Sequence, residues 1–368
     1  MSHSSRQESP GPLEVLGLSA QELGTILRDI LESAGEPAYR ARQLRDWLYK
    51  RCPEDFLLWS DVPGTLRQVL GERLLLHPLE KKEEQLSSDG TRKFLWTRQG
   101  GGNLESVVIP DRDRRTYCIS TQAGCPVGCA FCATGHGGFK GHLRPGEIVD
   151  QVASMRRITG DGPTNIVYMG MGEPLLNYAS VRKSIEILTH PEQFGFGARR
   201  ITVSTVGIPD GMRRLAEDFP QVKLAVSLHA ARNDLRSSII PINRKYPLEV
   251  VLAAARDHAS RTGKKITFEY ILLPGVNDSR RDALDLAKLA RGLPSRINLI
   301  GFNPFPGAPF EKPGVRRLLG FRSWVQEAYS GDVTIRRSRG SDVQGACGQL
   351  TLPRQDPSEM KRPRVGRE

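Results

Sequence analysis

The chain has 368 residues, of which 38% are hydrophobic, so it can bury a core large enough for a catalytic domain and a smaller second domain. Six cysteines over this length do not make a disulfide-stabilised secreted scaffold, and they predict a reducing compartment. The formal net charge of +12 favours a polyanionic partner such as nucleic acid, and a basic soluble protein without such a partner is the alternative.

The first twelve residues are polar and are predicted to be disordered. They lack the apolar run of a signal peptide, and no stretch of the chain approaches the ~18 consecutive apolar residues that span a bilayer. We therefore expect a cytoplasmic protein that has no membrane partner.

Residues 13–85 are expected to form a small helical domain that binds RNA. The segment from Ser19 to Glu22 has the form of a helix capping box, and the apolar residues after it recur at helical spacing. A second helix is predicted over 39–50 and a third near 62–75. The second helix exposes several Arg and Lys side chains, which favours contact with phosphates.

Residues 86–112 predict a linking β-hairpin, with strands at 91–97 and 104–110. From 113 to 345, β-rich runs alternate with helical segments, a pattern typical of a parallel sheet with helices outside it. The β-rich runs are YCISTQ, NIVYMG, RITVSTV, VKLAVSL, ITFEYIL, INLIGF and VTIRR, and the helical segments include 145–158, 178–190, 247–262 and 279–291. About six such units are too few for a closed eightfold barrel. The expected fold class is therefore α/β, with an open, partial (β/α)6 barrel whose active residues lie at the C-terminal ends of its strands.

Cys125, Cys129 and Cys132 follow the first of these β-rich runs at a C-x3-C-x2-C spacing. One such loop can bind three corners of a [4Fe-4S] cluster and leave the fourth iron open to a substrate or cofactor, whereas an electron carrier normally uses four Cys ligands. The loop therefore favours an enzyme. A structural zinc site with His136 as the fourth ligand is an alternative, and three inert buried thiols are another.

Five further motifs accompany the loop at 125–132, which we call the Cys loop. They are GMGEPLLN at 170–177, SLH at 227–229, PIN at 241–243, NPFPG at 303–307 and ACGQL at 346–350. Together with the loop they resemble the RNA adenine methyltransferases of the RlmN and Cfr type, which are radical S-adenosylmethionine (SAM) enzymes. The match extends from the N-terminal helical segment to about Leu350. It implies a [4Fe-4S] cluster and SAM as cofactors, 23S rRNA and tRNA as substrates, a flavodoxin-like electron donor and a monomeric enzyme.

The resemblance also gives roles to two cysteines outside the loop. Carbon 2 of adenine is electron-poor and does not attack SAM, so a radical route is required. The family mechanism implies that Cys347 takes a methyl group from one SAM, and that a radical from a second SAM activates this methyl for addition to adenine. Glu105 is then the general base, and Cys118 releases the product by forming a disulfide with Cys347. Taken singly, Cys118 also suits a small core residue, Cys347 a loop thiol and Glu105 an exposed hairpin position.

The residues that the resemblance assigns to SAM all lie at or near predicted strand ends. They are Gly172, Glu173, Ser204, Ser227, Leu228, His229 and Asn303. A core imidazole is the alternative for His229. Predicted RNA contacts are the helix face at 40–51, the pairs Arg199-Arg200, Arg213-Arg214 and Arg244-Lys245, and Arg336, Arg337 and Arg339.

Residues 346–353 are expected to form the catalytic loop around Cys347, which we call the Cys347 loop. Residues 354–368 are expected to form a basic disordered tail. The leading hypothesis is a carbon 2 methyltransferase. Carbon 8 methylation, as in the Cfr branch, is the runner-up because both branches use the same Cys set. An iron-sulfur protein that binds RNA without catalysis is the third hypothesis.

Overall fold

The computed structural model describes residues 11–350. Its strands are β1 (Leu13–Glu14), β2 (Leu74–Leu75), β3 (Leu79–Leu86), β4 (Arg92–Arg98), β5 (Asn103–Asp111), β6 (Arg114–Cys118), β7 (Gln122–Gly124), β8 (Phe139–His142), β9 (Asn165–Tyr168), β10 (Ile201–Thr205), β11 (Lys223–Ser227), β12 (Ile266–Leu272), β13 (Ser295–Gly301) and β14 (Val333–Arg336). Its α-helices are α1 (Ala20–Ser33), α2 (Arg40–Asp46), α3 (Gly64–Arg73), α4 (Ala133–His136), α5 (Pro145–Thr159), α6 (Tyr178–Thr189), α7 (Pro209–Asp218), α8 (Asn233–Ile239), α9 (Leu248–Thr262), α10 (Arg280–Ala290) and α11 (Val315–Ala328). The predicted tail at 354–368 lies outside the described residues.

One sheet holds ten of the described strands, in the order β14-β13-β12-β11-β10-β9-β6-β5-β4-β3. All pairs from β6 to β14 are parallel, and at least one helix separates each strand from the next. In this sheet β6 pairs with β5 and β9, whereas β14 pairs with β13. The parallel part is therefore an open barrel of six βα units and a final strand, which confirms the predicted partial (β/α)6 fold.

The predicted barrel helices form where local signals start and stop them. Helix α5 begins with Pro145, which suits the first helical position because its missing N–H needs no partner there. It ends at Gly160, which adopts the left-handed conformation with φ +76°. Helices α6, α9 and α10 begin and end within one residue of the predicted segments.

The N-terminal segment is helical as predicted. The Ser19 side chain accepts from the Glu22 amide, and the Glu22 carboxylate accepts from the Ser19 amide, so the capping box forms. Helix α1 buries the apolar face that its periodicity indicates, and α2 continues into a π-helical turn at Trp47–Arg51. Trp47 stacks on Trp59 with ring centroids 5.6 Å apart, which closes a small core around this segment.

The predicted hairpin is present as β4 and β5, and it extends the barrel sheet. Strand β5 pairs antiparallel with β6, with Val107 opposite Cys118. The hairpin therefore lies directly beside the first barrel strand. The sequence analysis predicts no strand before residue 91, whereas the structure has β3 at the edge of the sheet. No helix in the described part of the chain is both long and apolar enough to cross a membrane.

Candidate active site

Two cysteines that are distant in sequence face one cavity of about 820 Å³. Cys118 ends β6, and Cys347 lies in the loop that follows β14. Cys132, from the Cys loop, lines the same cavity, as does Arg336 at the end of β14. The cavity lies on the open side of the barrel and is within the size range of small-ligand sites.

The three thiols of the Cys loop lie near one another. Burial raises the pKa of Cys125 to about 12, and the charge of Cys132 contributes to that increase. Burial also raises the pKa of Cys129 and of Cys132, and for Cys129 both other loop thiols add to the effect. Within residues 11–350, no three His, Cys, Asp or Glu side chains converge tightly enough to hold a single metal ion.

Hydrogen bonds fix the Cys loop to two parts of the fold. The Ala130 amide donates to the carbonyl of Ile239, and the Ala133 amide donates to the carbonyl of Gly348, next to Cys347. His136, the candidate fourth zinc ligand, instead places its Nε2 atom 3.1 Å from the Ala130 carbonyl. The Cys loop and the Cys347 loop are therefore in direct backbone contact.

Gly172 and Glu173 lie just after β9, at the C-terminal rim of the barrel. Gly172 has φ +101°, and a Cβ there would lie 2.6 Å from the Cβ of Gln122, so only glycine fits. The Glu173 carboxylate accepts from the amides of Leu175 and Val206 at 3.0 and 2.8 Å. Burial nevertheless raises its pKa to about 7. A cationic group bound at the rim would favour the ionised form.

Ser204 and Ser227 lie at the same rim. Their hydroxyl oxygens are 3.4 Å apart, and both side chains are half-buried. Leu228 is fully buried. The positions of the two serines are consistent with the predicted SAM site. The Leu228 amide donates to the Glu269 carbonyl, and its own carbonyl accepts from Ala230 and Arg236, so both of its backbone groups are already hydrogen-bonded.

His229 has features of both predicted roles. Its Nδ1 accepts from the Ile271 amide at 3.0 Å, and burial lowers its pKa to about 3, so it is neutral. Its φ of +58° is strained for a non-glycine residue, which is common at functional sites. The ring contacts Phe131 of the Cys loop edge-on, with centroids 4.6 Å apart. The His229 ring thus packs against the Cys loop.

Arg236 organises this rim, and the sequence analysis does not identify it. Its fully buried guanidinium donates to the carbonyls of Val206, Ser227 and Leu228 and to Oδ1 of Asn243. The PIN motif that contains Asn243 is the only sequence signal that leads to it. Arg236 ties the ends of two neighbouring strands together, and so sets the positions of the rim residues.

The loop that carries Cys347 is attached at both ends. At its start, Asp342 accepts from the Ser87 hydroxyl at 2.6 Å and from the Ser88 amide at 3.0 Å, and Asp89 accepts from the Gly340 amide at 2.9 Å. We call this set of contacts the clasp. At its far end, Gln349 donates to the Pro304 carbonyl. The clasp joins the Cys347 loop to the turn between β3 and β4.

Asn303 contacts the Cys347 loop directly. Its side-chain amide donates to the Cys347 carbonyl at 3.2 Å. Its other polar atom, Oδ1, is buried and has no hydrogen-bond partner among the residues that the structure describes. A buried acceptor without a partner is costly, so this atom is suited to a bound ligand.

Glu105 is buried rather than exposed, and the sequence analysis misses its neighbour Lys93. The Lys93 ammonium lies 3.2 Å from Oε1 of Glu105, and both side chains are less than one-tenth exposed. Antiparallel register places Glu105 and Val107 on one face of β5, and Cys118 is opposite Val107 on that same face. Gly345, in the Cys347 loop, packs near Lys93. Glu105 and Cys118 therefore lie on the sheet face that the Cys347 loop covers.

Arg336, which the sequence predicts as a phosphate contact, lies in the active-site cavity. It lines the cavity with Cys118 and Cys347, and it is half-buried. The charge of Cys347 raises the pKa of Arg336, and Glu269 and Cys118 add to the effect. A fixed guanidinium in this position stabilises a negative charge on either thiol.

The other predicted RNA contacts are more exposed, and several already have acidic partners. Arg40 pairs with Glu36, Arg45 with Glu192, Lys50 with Asp46 and Arg339 with Asp111. Arg213 pairs with Asp210, and Arg214 lies over the ring of Tyr178. The predicted basic helix face is thus largely neutralised within the protein.

Comparison with known proteins identifies the family. The model of the radical SAM superfamily matches residues 119–287, and that of the ribosomal RNA large subunit methyltransferase N-terminal domain matches residues 13–76. The dual-specificity RNA methyltransferase RlmN of Anaeromyxobacter sp. (strain Fw109-5) is 44% identical over 345 residues, which cover 92% of this chain and 91% of that one. The chain belongs to the RlmN family.

Further comparisons agree with membership in the RlmN family. A probable dual-specificity RNA methyltransferase RlmN of Thermotoga neapolitana is 45% identical, with 92% of this chain and 98% of that one covered. The crystal structure of a radical SAM methyltransferase from Sphaerobacter thermophilus has a TM-score of 0.87 and 45% identity, and covers 92% of this chain and 99% of that one. The chain is therefore a radical SAM methyltransferase, as the sequence analysis predicts.

The site residues fit the cofactors of the RlmN family, a [4Fe-4S] cluster and SAM. Cys125, Cys129 and Cys132 offer three soft sulfur ligands, which suit iron-sulfur clusters. Gly172 removes a side chain where the backbone must approach closely, and Asn303 presents an unpartnered acceptor. The donor chemistry and the shape of the rim thus agree with both groups.

Proposed function

We propose that this enzyme methylates carbon 2 of adenine in 23S rRNA and in tRNA, with Cys347 as the methyl carrier. The proposal depends on one observation, which is that Cys118, Cys347 and Cys132 line the same cavity. An ordinary methyltransferase needs no thiol pair beside an iron-sulfur site. The relatives are named dual-specificity RNA methyltransferases, which supports RNA as the substrate.

The rim and the Cys loop would hold the cofactors. Cys125, Cys129 and Cys132 are the proposed cluster ligands, and Gly172, Glu173, Ser204, Ser227, Leu228, His229 and Asn303 are the proposed SAM contacts. When bound there, the cluster and SAM supply radical chemistry that can remove hydrogen from an unactivated carbon. Glu173 would pair with a cationic group of the cofactor, because its carboxylate is buried and needs a positive partner.

Cys347 and Cys118 have different proposed roles in the reaction. The Cys347 thiolate, beside the Arg336 guanidinium, is the nucleophile that accepts the methyl group as a thioether. Burial raises the pKa of the Cys118 thiol to about 12, which keeps it protonated at neutral pH. A protonated thiol suits the resolving role, which comes last and forms a disulfide with Cys347 when the product leaves.

Glu105 is the proposed general base that removes the ring proton. The Lys93 ammonium, 3.2 Å from the carboxylate, holds it in place. Both groups lie on the sheet face that the Cys347 loop covers. The pair would therefore be shielded from solvent during the reaction.

The remaining expectations belong to the same proposal. The reaction needs an electron from outside the chain, and we propose a flavodoxin-like donor. We also propose that the enzyme acts as a cytoplasmic monomer, in line with its basic charge and the substrates named above.

Mass spectrometry of 23S rRNA and tRNA from a deletion strain tests the proposal. We expect 2-methyladenosine to be missing, and to return on complementation with the wild-type gene but not with Cys347→Ala. A missing 8-methyladenosine would instead assign carbon 8. Unchanged nucleosides, together with purified protein that binds RNA but does not cleave SAM, would establish a non-catalytic iron-sulfur protein.

A further inference from the structure

A second cavity, of about 620 Å³, opens at the N-terminal end of the barrel. Its lining includes residues at the first or second positions of the parallel strands, among them Arg114, Asn165, Thr202, Lys223, Thr267, Arg296 and Thr334. Barrel interiors are usually filled with bulky apolar side chains, so a polar, solvent-accessible base is unusual. Arg114, Thr116, Met169 and Arg336 line both this cavity and the one that contains Cys118 and Cys347. The two cavities therefore adjoin inside the barrel.

The base of the barrel carries positive charge without acidic partners. Arg114, Lys223 and Arg296 are exposed, and none of them forms an ion pair with another residue in the range 11–350. Burial lowers the pKa of Lys223, and the charges of Arg296 and Arg114 lower it further. The three cations therefore lie near one another and repel, which an external anion would relieve.

The two acidic residues of this cavity are already engaged. Glu269 accepts from the Asn298 side chain at 3.1 Å and lies near Arg336. Asp332 lies 3.6 Å from Lys265. In contrast to the helix face at 40–51, where most cations are paired, the base presents positive charge that is free to bind phosphate.

We propose that the RNA strand next to the target adenine runs from the cavity that contains Cys118 to the base of the barrel, and that Arg114, Lys223 and Arg296 bind its phosphates. This inference rests on the proposed function, which places the target base beside Cys118. Arg114 and Cys118 are the two ends of β6, about 13 Å apart at the usual rise of a strand. A few nucleotides of extended RNA span this distance. Backbone contacts of this kind position the strand without reading its sequence.

Matched charge reversals test the path. The variant Lys223→Glu/Arg296→Glu changes the base of the barrel, and Arg256→Glu/Lys288→Glu makes the same change in charge at exposed positions on the outer helices α9 and α10. The probe is an unmodified transcript of the peptidyl transferase region of 23S rRNA. Affinity is measured between 50 and 300 mM salt, on the order of the range in which counterion release is visible.

We expect the base variant to bind at least about tenfold more weakly, with the slope of log K against log salt reduced by about 1.4, because each lost phosphate contact with a single strand removes about 0.7. The outer-helix variant should bind like the wild type. Equal losses in both variants would show that overall charge controls binding, and they would contradict the proposed path. Unchanged binding in both variants would contradict it as well. If the base variant melts early, Lys223→Gln/Arg296→Gln should still lower the slope by about 1.4.

The experiment separates this inference from the function on which it rests. Wild-type enzyme that binds the transcript but leaves 2-methyladenosine unformed contradicts the proposed function, whatever the variants do. Wild-type enzyme that methylates the transcript, together with a base variant that binds it normally, contradicts only the path of the strand.

Discussion

Glu173 should make the stability of the apoprotein depend on pH in a defined window. Its carboxyl is 3% exposed, and burial raises its pKa from the ordinary value of 4.5 to about 7, although two backbone amides oppose the shift. Between these pH values the folded protein keeps a proton that the unfolded chain has released. The free energy of unfolding therefore falls as pH rises from about 4.5 to about 7, and this contribution is constant above that window. The difference corresponds to about 3 kcal/mol.

Urea unfolding of the apoprotein at pH 5 and at pH 8 measures this effect. Glu173→Gln cannot ionise, so the stability of the wild type relative to this variant should fall by about 2.5 kcal/mol between the two pH values, because part of the window lies below pH 5. Glu186→Gln, at a half-exposed position on α6, is the control and should follow the wild type. Parallel pH profiles for wild type and Glu173→Gln would refute the argument that burial sets the charge of this residue.

Substitutions at four other positions probe the site. Cys347→Ala should abolish methylated RNA in a mass-spectrometric assay, and turnover by this variant would contradict its role as methyl carrier. Cys118→Ala should leave protein covalently joined to RNA, visible as a shifted band on a denaturing gel. Asp342→Ala should release the clasp and so lower the ratio of methylated RNA to cleaved SAM several-fold. Asp342→Asn, which keeps a hydrogen-bond acceptor, should have most of the wild-type ratio. If Asp342→Ala and the wild type have equal ratios, the clasp does not position Cys347. Gly172→Ala should lower stability in thermal melts by about 2 kcal/mol, because its Cβ would collide with Gln122 and its φ is positive.

Most of the barrel could be predicted because its signals are local. Buried parallel strands such as β9 and β12 are short apolar runs, and the helices between them have capping residues and regular apolar spacing. Strand β3, with the sequence LEKKEEQL, could not be predicted in this way. It lies at the edge of the sheet and most of its side chains reach solvent, so it has no apolar pattern, and only pairing with β4 makes it a strand.

In the site, too, residues with a local sequence signal could be predicted, and residues whose role depends on contacts made by folding could not. The Cys loop is recognisable because its three cysteines lie within eight consecutive residues. Arg236 and Lys93 could not be found from the sequence, because their roles depend on contacts with Val206, Leu228 and Glu105 that folding creates. Their isolated basic side chains look like ordinary surface charge in the sequence. Arg336 is recognisable in the sequence as a basic residue, but its place in the cavity with Cys118 and Cys347 depends on the fold.

The clasp limits how the Cys347 loop can move. With one end tied to the β3–β4 turn and the other to the Pro304 carbonyl, the loop can flex between its anchors but cannot open outward while both remain intact. The thiol therefore keeps its place in the cavity that it shares with Cys118. Because Cys347 is only half-buried there, the anchors fix its position while the cavity still leaves it open to an incoming substrate.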